Sequence, residues 1–202
     1  MPAAARPTIG RPREFDVDVA LEQAMRVFWA QGYDGAKLSD LTEAMGINRP
    51  SLYAAFGTKE ELFRKAVERY SAGPAAYGER ALDERTAHAV AHTFLRGAAE
   101  TTTQDGAPTG CLGVQGALAT GPGDRAVRDS LAEWRNHTHE RLHQRFRRAV
   151  DEDDLPSDAD PDLLARYLVT VANGIAVQAA SGVGRAELLQ VAEVALRSWP
   201  SC

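Results

Sequence analysis

Cysteine is scarce in this chain: Cys111 and Cys202 are the two thiols in 202 residues. That is too few for a disulfide framework and fits a reducing compartment. Long apolar runs are missing as well, so no segment is expected to cross a bilayer. The opening residues, MPAAARPTIGRPR, carry three arginines and not the apolar block of a secretory signal. A cytoplasmic protein with no membrane partner is therefore expected. Strand signals are equally sparse, because no stretch alternates apolar and polar residues convincingly. No internal repeat or low-complexity tract occurs. What remains is an all-α chain, 44% hydrophobic and 25% charged, able to bury a substantial core.

The net charge of -5 is unevenly spread. Residues 1–70 balance ten Lys or Arg against ten Asp or Glu, while residues 71–202 hold thirteen against eighteen. Acidity overall does not exclude nucleic acid, since local charge decides. Residues 1–13 bear Arg6, Arg11 and Arg13 with no acid among them, as a basic arm over 1–14 would.

Helical periodicity starts with Val17, Leu21, Ala24, Met25 and Phe28, and Gly32 is expected to stop that helix. A short pattern of Leu38, Leu41 and Met45 closes at Gly46. Asn48 then offers a side-chain acceptor at a helix start, with Pro50 in the first turn where no donor is lost. This third helix runs to about Phe56 and Gly57. Thr58-Lys59-Glu60-Glu61 is a capping box that opens a fourth, with Leu62, Phe63, Ala66, Val67 and Tyr70 on its apolar side. Two helices of about two turns joined by a glycine turn are too small for a core of their own, so the first and fourth must complete it.

That arrangement is helix-turn-helix geometry, in which the second helix of the pair enters the DNA major groove. Arg49, Pro50 and Ser51 stand at its start. Arg49 suits a bidentate bond to guanine, Ser51 a base or phosphate contact, and Tyr53 a hydroxyl contact to the backbone. Lys59, at the start of the next helix, adds charge where free N–H groups already attract phosphate.

With "GRPREFD" and "AMRVFWAQGYDGAKLSDLTEAMGINRPSLYAAFGTKEELF" in this order, the first 70 residues resemble the DNA-binding domain of the tetracycline-repressor (TetR/AcrR) family. The resemblance covers about a third of the chain. It implies an all-helical homodimer: a helix-turn-helix DNA-binding domain over 15–72 and a larger ligand-binding and dimerisation domain over 75–202. It further implies repression at a palindromic operator of double-stranded DNA, relieved by a small-molecule effector. The chain departs from many relatives at Lys37, where Ser or Thr often caps the second helix and touches phosphate. Either Ser39 takes over the cap, or Lys37 meets phosphate by charge. Ala54 and Ala55 stand where an aromatic or His is frequent, which leaves base reading to Arg49 and Ser51.

One motif points elsewhere. His139, Glu140 and His143 in "HERLH" match the H-E-x-x-H signature of zinc hydrolases. They lie within an amphipathic pattern (Val127, Leu131, Trp134, Leu142, Phe146, Val150) rich in Arg141, Arg145, Arg147 and Arg148, and no His follows His143. Asp154 or Asp160 would have to complete a site. A solvated charged helix face is the favoured reading, with no catalytic residue, metal or cofactor expected. His88 and His92 form a second pair open to adventitious metal. A metal-dependent hydrolase and a helical interaction domain that ignores DNA are the alternatives.

Beyond Gly73-Pro74, helices are expected at about 84–103, 110–119, 124–151, 160–181 and 185–198, with Asp124 and Asp160 as start signals. The last two carry more apolar surface than one partner face requires, notably Leu163, Leu164, Tyr167, Leu168, Val171, Ile175, Leu188, Leu189, Ala192, Leu196 and Trp199. The resemblance implies that they pack against those of a second copy as a four-helix bundle. Phe94, Cys111, Trp134, His137 and Tyr167 are candidates to line an effector cavity, although aromatic residues at helical spacing are more often core. Cys111 follows Gly110 at an expected helix start, where the helix dipole would stabilise a thiolate and make it a sensor of electrophiles or oxidants. A buried small apolar side chain is the plainer and favoured reading.

Overall fold

The computed structural model describes residues 15–118 and 125–200. The basic arm with Arg6, Arg11 and Arg13, the start signal Asp124, and Cys202 lie outside the described residues. Every regular element among the described residues is helical. The first four helices are α1 (Val17–Gly35), α2 (Leu38–Met45), α3 (Arg49–Phe56) and α4 (Lys59–Ala72).

Local chemistry sets these starts. The Asp16 carboxylate accepts from the N–H groups of Asp18 and Val19. Asn48 Oδ1 accepts from the Ser51 N–H at 2.9 Å. Thr58 and Glu61 form a reciprocal capping box, with the Glu61 carboxylate 2.7 Å from the Thr58 N–H. Each such cap contributes about 1 kcal/mol. Helix α2 is the exception. Lys37 occupies its cap position and supplies no side-chain acceptor. Ser39, expected as a possible cap, lies inside the helix and donates to Asp40 at 3.0 Å. Gly46 ends α2 in the left-handed region at φ 65°, which makes the tight turn into α3. Gly32 does not stop α1 as expected. It kinks the helix at φ 70° and ψ 178°, and one further turn reaches Gly35.

A 3-10 turn at Pro74–Ala76 leads to α5 (Tyr77–Leu82), α6 (Ala87–Thr102), α7 (Leu112–Leu118), α8 (Arg125–Asp151), α9 (Pro161–Ala180) and α10 (Arg185–Leu196). Helix α5 was not expected, because six residues are too few to display a helical period. The core forms two clusters. One joins Phe28, Trp29, Phe63 and Tyr70 of the first four helices to Cys111, Leu112 and Val114 around α7 and to Val127 and Leu131 of α8. The other unites α5, α6, α9, α10 and the distal half of α8 around Phe94, Phe146, Leu168 and Trp199. One buried cluster thus joins residues on both sides of 72–75. Two further bonds fasten α1 to the loop before α7: Trp29 Nε1 donates to the Gly110 carbonyl at 2.9 Å, and Arg26 Nη1 to that of Gly106 at 2.7 Å.

Helix α9 corrects another expectation. It is long and apolar enough, by length and composition alone, to span a bilayer. Its inner face, including Leu168, Ile175 and Ala179, is buried against α6, α8 and α10. Its outer face leaves Leu163 and Val177 exposed, and α10 adds exposed Val191 and Val194.

Candidate nucleic-acid interface and effector cavity

Helix α3 turns two faces in opposite directions. Leu52 and Phe56 are buried, whereas Arg49, Pro50, Tyr53 and Ala54 are exposed and Ser51 is half-buried. Arg49 has no ion-pair partner among the described residues, so its five N–H donors face outward at the start of the helix. Lys37 is exposed at the start of α2. Lys59 lies at the start of α4, its ammonium 4.3 Å above the Tyr33 ring. That cation–π contact helps to orient the ammonium. Lys65 Nζ donates to the Phe56 carbonyl at 3.0 Å and so fastens the end of α3 to α4. Arg69 ties α4 to α1 through Glu22 at 2.8 Å and Asp18 at 3.6 Å.

At the other end of α4 lies a narrow cavity of about 50 Å³, whose wall includes Tyr77, Phe94, Cys111, Trp134, Arg135 and Asn173. A cleft of about 730 Å³ opens beside it between α4, α5 and α8. Trp134 borders both. Of the side chains proposed from sequence, Phe94, Cys111 and Trp134 meet at the cavity, and His137 lies in the cleft. Tyr167 belongs to neither. It stands on the outer side of α9, 37% exposed, and its hydroxyl donates to the Ala195 carbonyl at 2.9 Å, fastening α9 to α10. Arg135, Asn173 and Tyr77 were missed because a charged or polar residue on an amphipathic helix, or one on an unforeseen helix, gives no periodic signal.

The sequence profile of the family described as "Bacterial regulatory proteins, tetR family" matches residues 20–66. That of "Tetracyclin repressor-like, C-terminal domain" matches residues 89–195. The chain is 34% identical over 196 residues to the HTH-type transcriptional repressor ComR of Escherichia coli (strain K12), covering 95% of this chain and 92% of ComR. It belongs to the TetR family. The repressor AcnR of Corynebacterium glutamicum is 29% identical over 184 residues, 88% of this chain and 90% of its own. A cysteine mutant of the TetR family regulator CifR, solved with 26bp double-strand operator DNA, superposes with a TM-score of 0.90 at 46% identity, covering 94% of this chain and all of that one. As a TetR-family member, the chain is a DNA-binding transcriptional regulator.

Within this TetR-family frame, HERLH has a structural role. His139 is 8% exposed, turned inward with Nε2 3.2 Å from Asp162 Oδ1 in the first turn of α9. Glu140 is exposed and accepts from Gln144 at 2.8 Å. The two carboxylates considered as further ligands are engaged by backbone: Asp154 accepts from the Ala87 N–H, and Asp160 caps α9 through the N–H groups of Asp162 and Leu163. Among the described residues no group of three His, Cys, Asp or Glu side chains converges for a metal. The picture of a wholly solvated face is also corrected, because Arg145 is 5% exposed and donates to the carbonyls of Glu84 and Arg85. Cys111 is 7% exposed, as the favoured reading of a buried small side chain has it, and the alternative of a thiolate finds no support. Cys111 does precede α7, but burial pushes its thiol pKa up, against the opposing pull of hydrogen bonds from Tyr70 and from the Val114 and Gly113 N–H groups. The thiol, not the thiolate, is its resting form at neutral pH.

Proposed function

We propose that the chain acts in the cytoplasm as a homodimeric repressor that binds a palindromic operator and leaves it when a small molecule occupies the space around Trp134. Arg49 and Ser51 read base edges in the major groove, with Pro50 shaping the entry of α3. Lys37, Tyr53 and Lys59 hold phosphates, and Arg11 and Arg13 on the amino-terminal arm add charge beside them. The single observation that carries this reading is the outward presentation of Arg49 on α3, in a fold that superposes at a TM-score of 0.90 on a relative in complex with operator DNA.

Dimerisation follows from the exposed apolar seam of α9 and α10. One eight-residue reading helix contacts few bases, whereas two held roughly 34 to 36 Å apart reach successive major grooves and gain avidity. Leu163, Val177, Val191 and Val194 give the seam its apolar contacts. Selection from a random duplex pool with the purified protein tests the reading. A palindrome with half-sites about one helical turn apart is the expected product. No enrichment at low salt, or enrichment of an asymmetric single site, overturns it.

A further inference from the structure

The cavity of about 50 Å³ is too small for an organic effector. It has room for one or two waters, whereas a benzene-sized ring needs about 150 Å³. A wall has to move, and Trp134 is the largest of the four residues, with Ala75, Gly78 and Thr138, that line both this cavity and the 730 Å³ cleft. One hydrogen bond tethers it, from the indole Nε1 to Ser71 Oγ on α4 at 2.8 Å. Ser71 donates its own proton to the Val67 carbonyl at 2.8 Å, so towards Trp134 it serves as acceptor alone. The ring lies directly over Gly113, where a Cβ would collide with it. Trp134 thus fills a slot shaped for an indole and is held there by a single polar contact.

The charge pattern of the wall selects the occupant. Arg135 is the one charged side chain lining the cavity among the described residues. Its Nη1 donates to the Gly113 carbonyl at 3.0 Å, and no carboxylate among the described residues comes within ion-pair distance. Arg135 is half-buried, and burial lowers its pKa against a smaller opposing influence of Cys111. Phe94, Val114 and Asn173 supply an otherwise apolar or neutral lining.

We propose that this site takes a compact organic anion, an aromatic or alicyclic carboxylate, which pairs with Arg135 while its ring enters the space that the Trp134 indole gives up. The inference rests on the regulator reading above and names its effector class. A planar carboxylate meets a guanidinium through two parallel hydrogen bonds, a geometry that a neutral amide does not reproduce. Seating the ring breaks the Trp134–Ser71 bond and loosens the side of α4 that faces α8, while Arg69 and Tyr70 keep its other side on α1. Through Lys65 and the Phe56 carbonyl, α4 carries that change to the reading helix.

Benzoate, benzamide and benzylamine test this, because they share a ring and differ in charge. In calorimetric titration of the full chain, benzoate should bind about tenfold or more tightly than benzamide, and benzylamine should not bind. Arg135→Gln should abolish the preference and Arg135→Lys should retain part of it, with thermal unfolding of both variants confirming that they fold. The indole N–H resonance of Trp134, assigned with Trp134→Phe, should shift with benzoate while those of Trp29 and Trp199 stay in place. No benzoate binding, or equal affinity for benzoate and benzamide, overturns the anion. A stationary Trp134 resonance in the benzoate complex overturns the moving wall. Operator binding by the ligand-free protein is read separately, and its absence would sink the regulator reading while leaving these three titrations decisive for the anion.

Discussion

Replacing Val194 by Asp should split the dimer while leaving the protomer folded. Among the described residues, five of the seven large apolar side chains left exposed lie on α9 and α10: Leu163, Tyr167, Val177, Val191 and Val194. Val194 is 56% exposed, so its burial waits on a partner. Covering about half a valine side chain contributes about 1 kcal/mol per copy. Twofold symmetry doubles this to about 2 kcal/mol, or about thirtyfold in Kd. The introduced carboxylate, desolvated in an apolar seam, raises the cost further. Val19 provides a matched control, since it is 58% exposed but lies on α1, away from the seam. Sedimentation equilibrium at neutral pH should show Val194→Asp dissociating at concentrations where Val19→Asp remains dimeric, with both melting as folded helical proteins. Indistinguishable dimer Kd values for the two variants would refute the assignment of the seam.

The two basic contacts should separate by kind. Arg49→Ala should cost about 1–3 kcal/mol and relax preference at one base pair per half-site, while Lys59→Ala should weaken all sequences alike and lower the salt slope by roughly 1 per copy; equal effects on both measures in a filter-binding series would show the roles misassigned. Thr58→Ala removes one half of the capping box and should cost about 1 kcal/mol in denaturant unfolding at pH 7. The Thr58 N–H and hydroxyl hold the Glu61 carboxyl below its ordinary range, so its contribution is complete at neutral pH and fades as pH falls through that lowered value. Because Thr58→Ala keeps the N–H, this pH dependence is read from Glu61→Gln; a wild-type minus Glu61→Gln difference that stays constant into acid contradicts the carboxylate's half of the box. In a Cys202→Ser background, Cys111 should alkylate with iodoacetamide far more slowly than free cysteine at pH 7 and speed up only in alkali, because burial keeps its thiol protonated; a rate equal to that of free cysteine would show the side chain to be open.

The reading head was legible because its instructions are local. Asn48, Thr58 and Glu61 act on N–H groups within three residues, and Gly46 acts on its own backbone, so the order of residues is enough to place α2, α3 and α4. Ser39 misled because a hydroxyl near a helix start looks the same whether it caps or lies two residues too far along. The candidate effector cavity was only half legible. Phe94 and Trp134 stand out as large apolar side chains, but their meeting depends on contacts between α6 and α8 that no local pattern encodes. Tyr167 shows the converse: its spacing on α9 matches that of core residues, yet the helix carries apolar side chains on two sides and Tyr167 falls on the outer one. His139 was misplaced for a similar reason, since its burial depends on Asp162 and on α9 coming to rest over it.

The packing also decides where an effector can act. Helices α1 and α4 are locked together by the Glu22–Arg69 pair at 2.8 Å and by the edge-on contact of Trp29 with Tyr70, whose centroids are 4.9 Å apart. Helix α7 shares their core. The reading head therefore cannot swing about 72–75 as a separate body without tearing a buried cluster. The side of α4 that faces α8 is different: the large cleft lies there, and Trp134 bridges it with one hydrogen bond. Fourteen residues of helix make α4 a lever of about 21 Å, with Ser71 near one end and Lys59 at the other. A tilt at the Ser71 end displaces Lys59 and, through Lys65, the end of α3. One hydrogen bond contributes about 1 kcal/mol net, and the repacking of an indole adds an amount of similar order. Coupling between effector and operator should accordingly fall at about 1–3 kcal/mol, or 5- to 150-fold in affinity. Coupling above a thousandfold would require a second yielding contact, and the Glu22–Arg69 lock, whose loss would free α1 from α4, is where it would have to be sought.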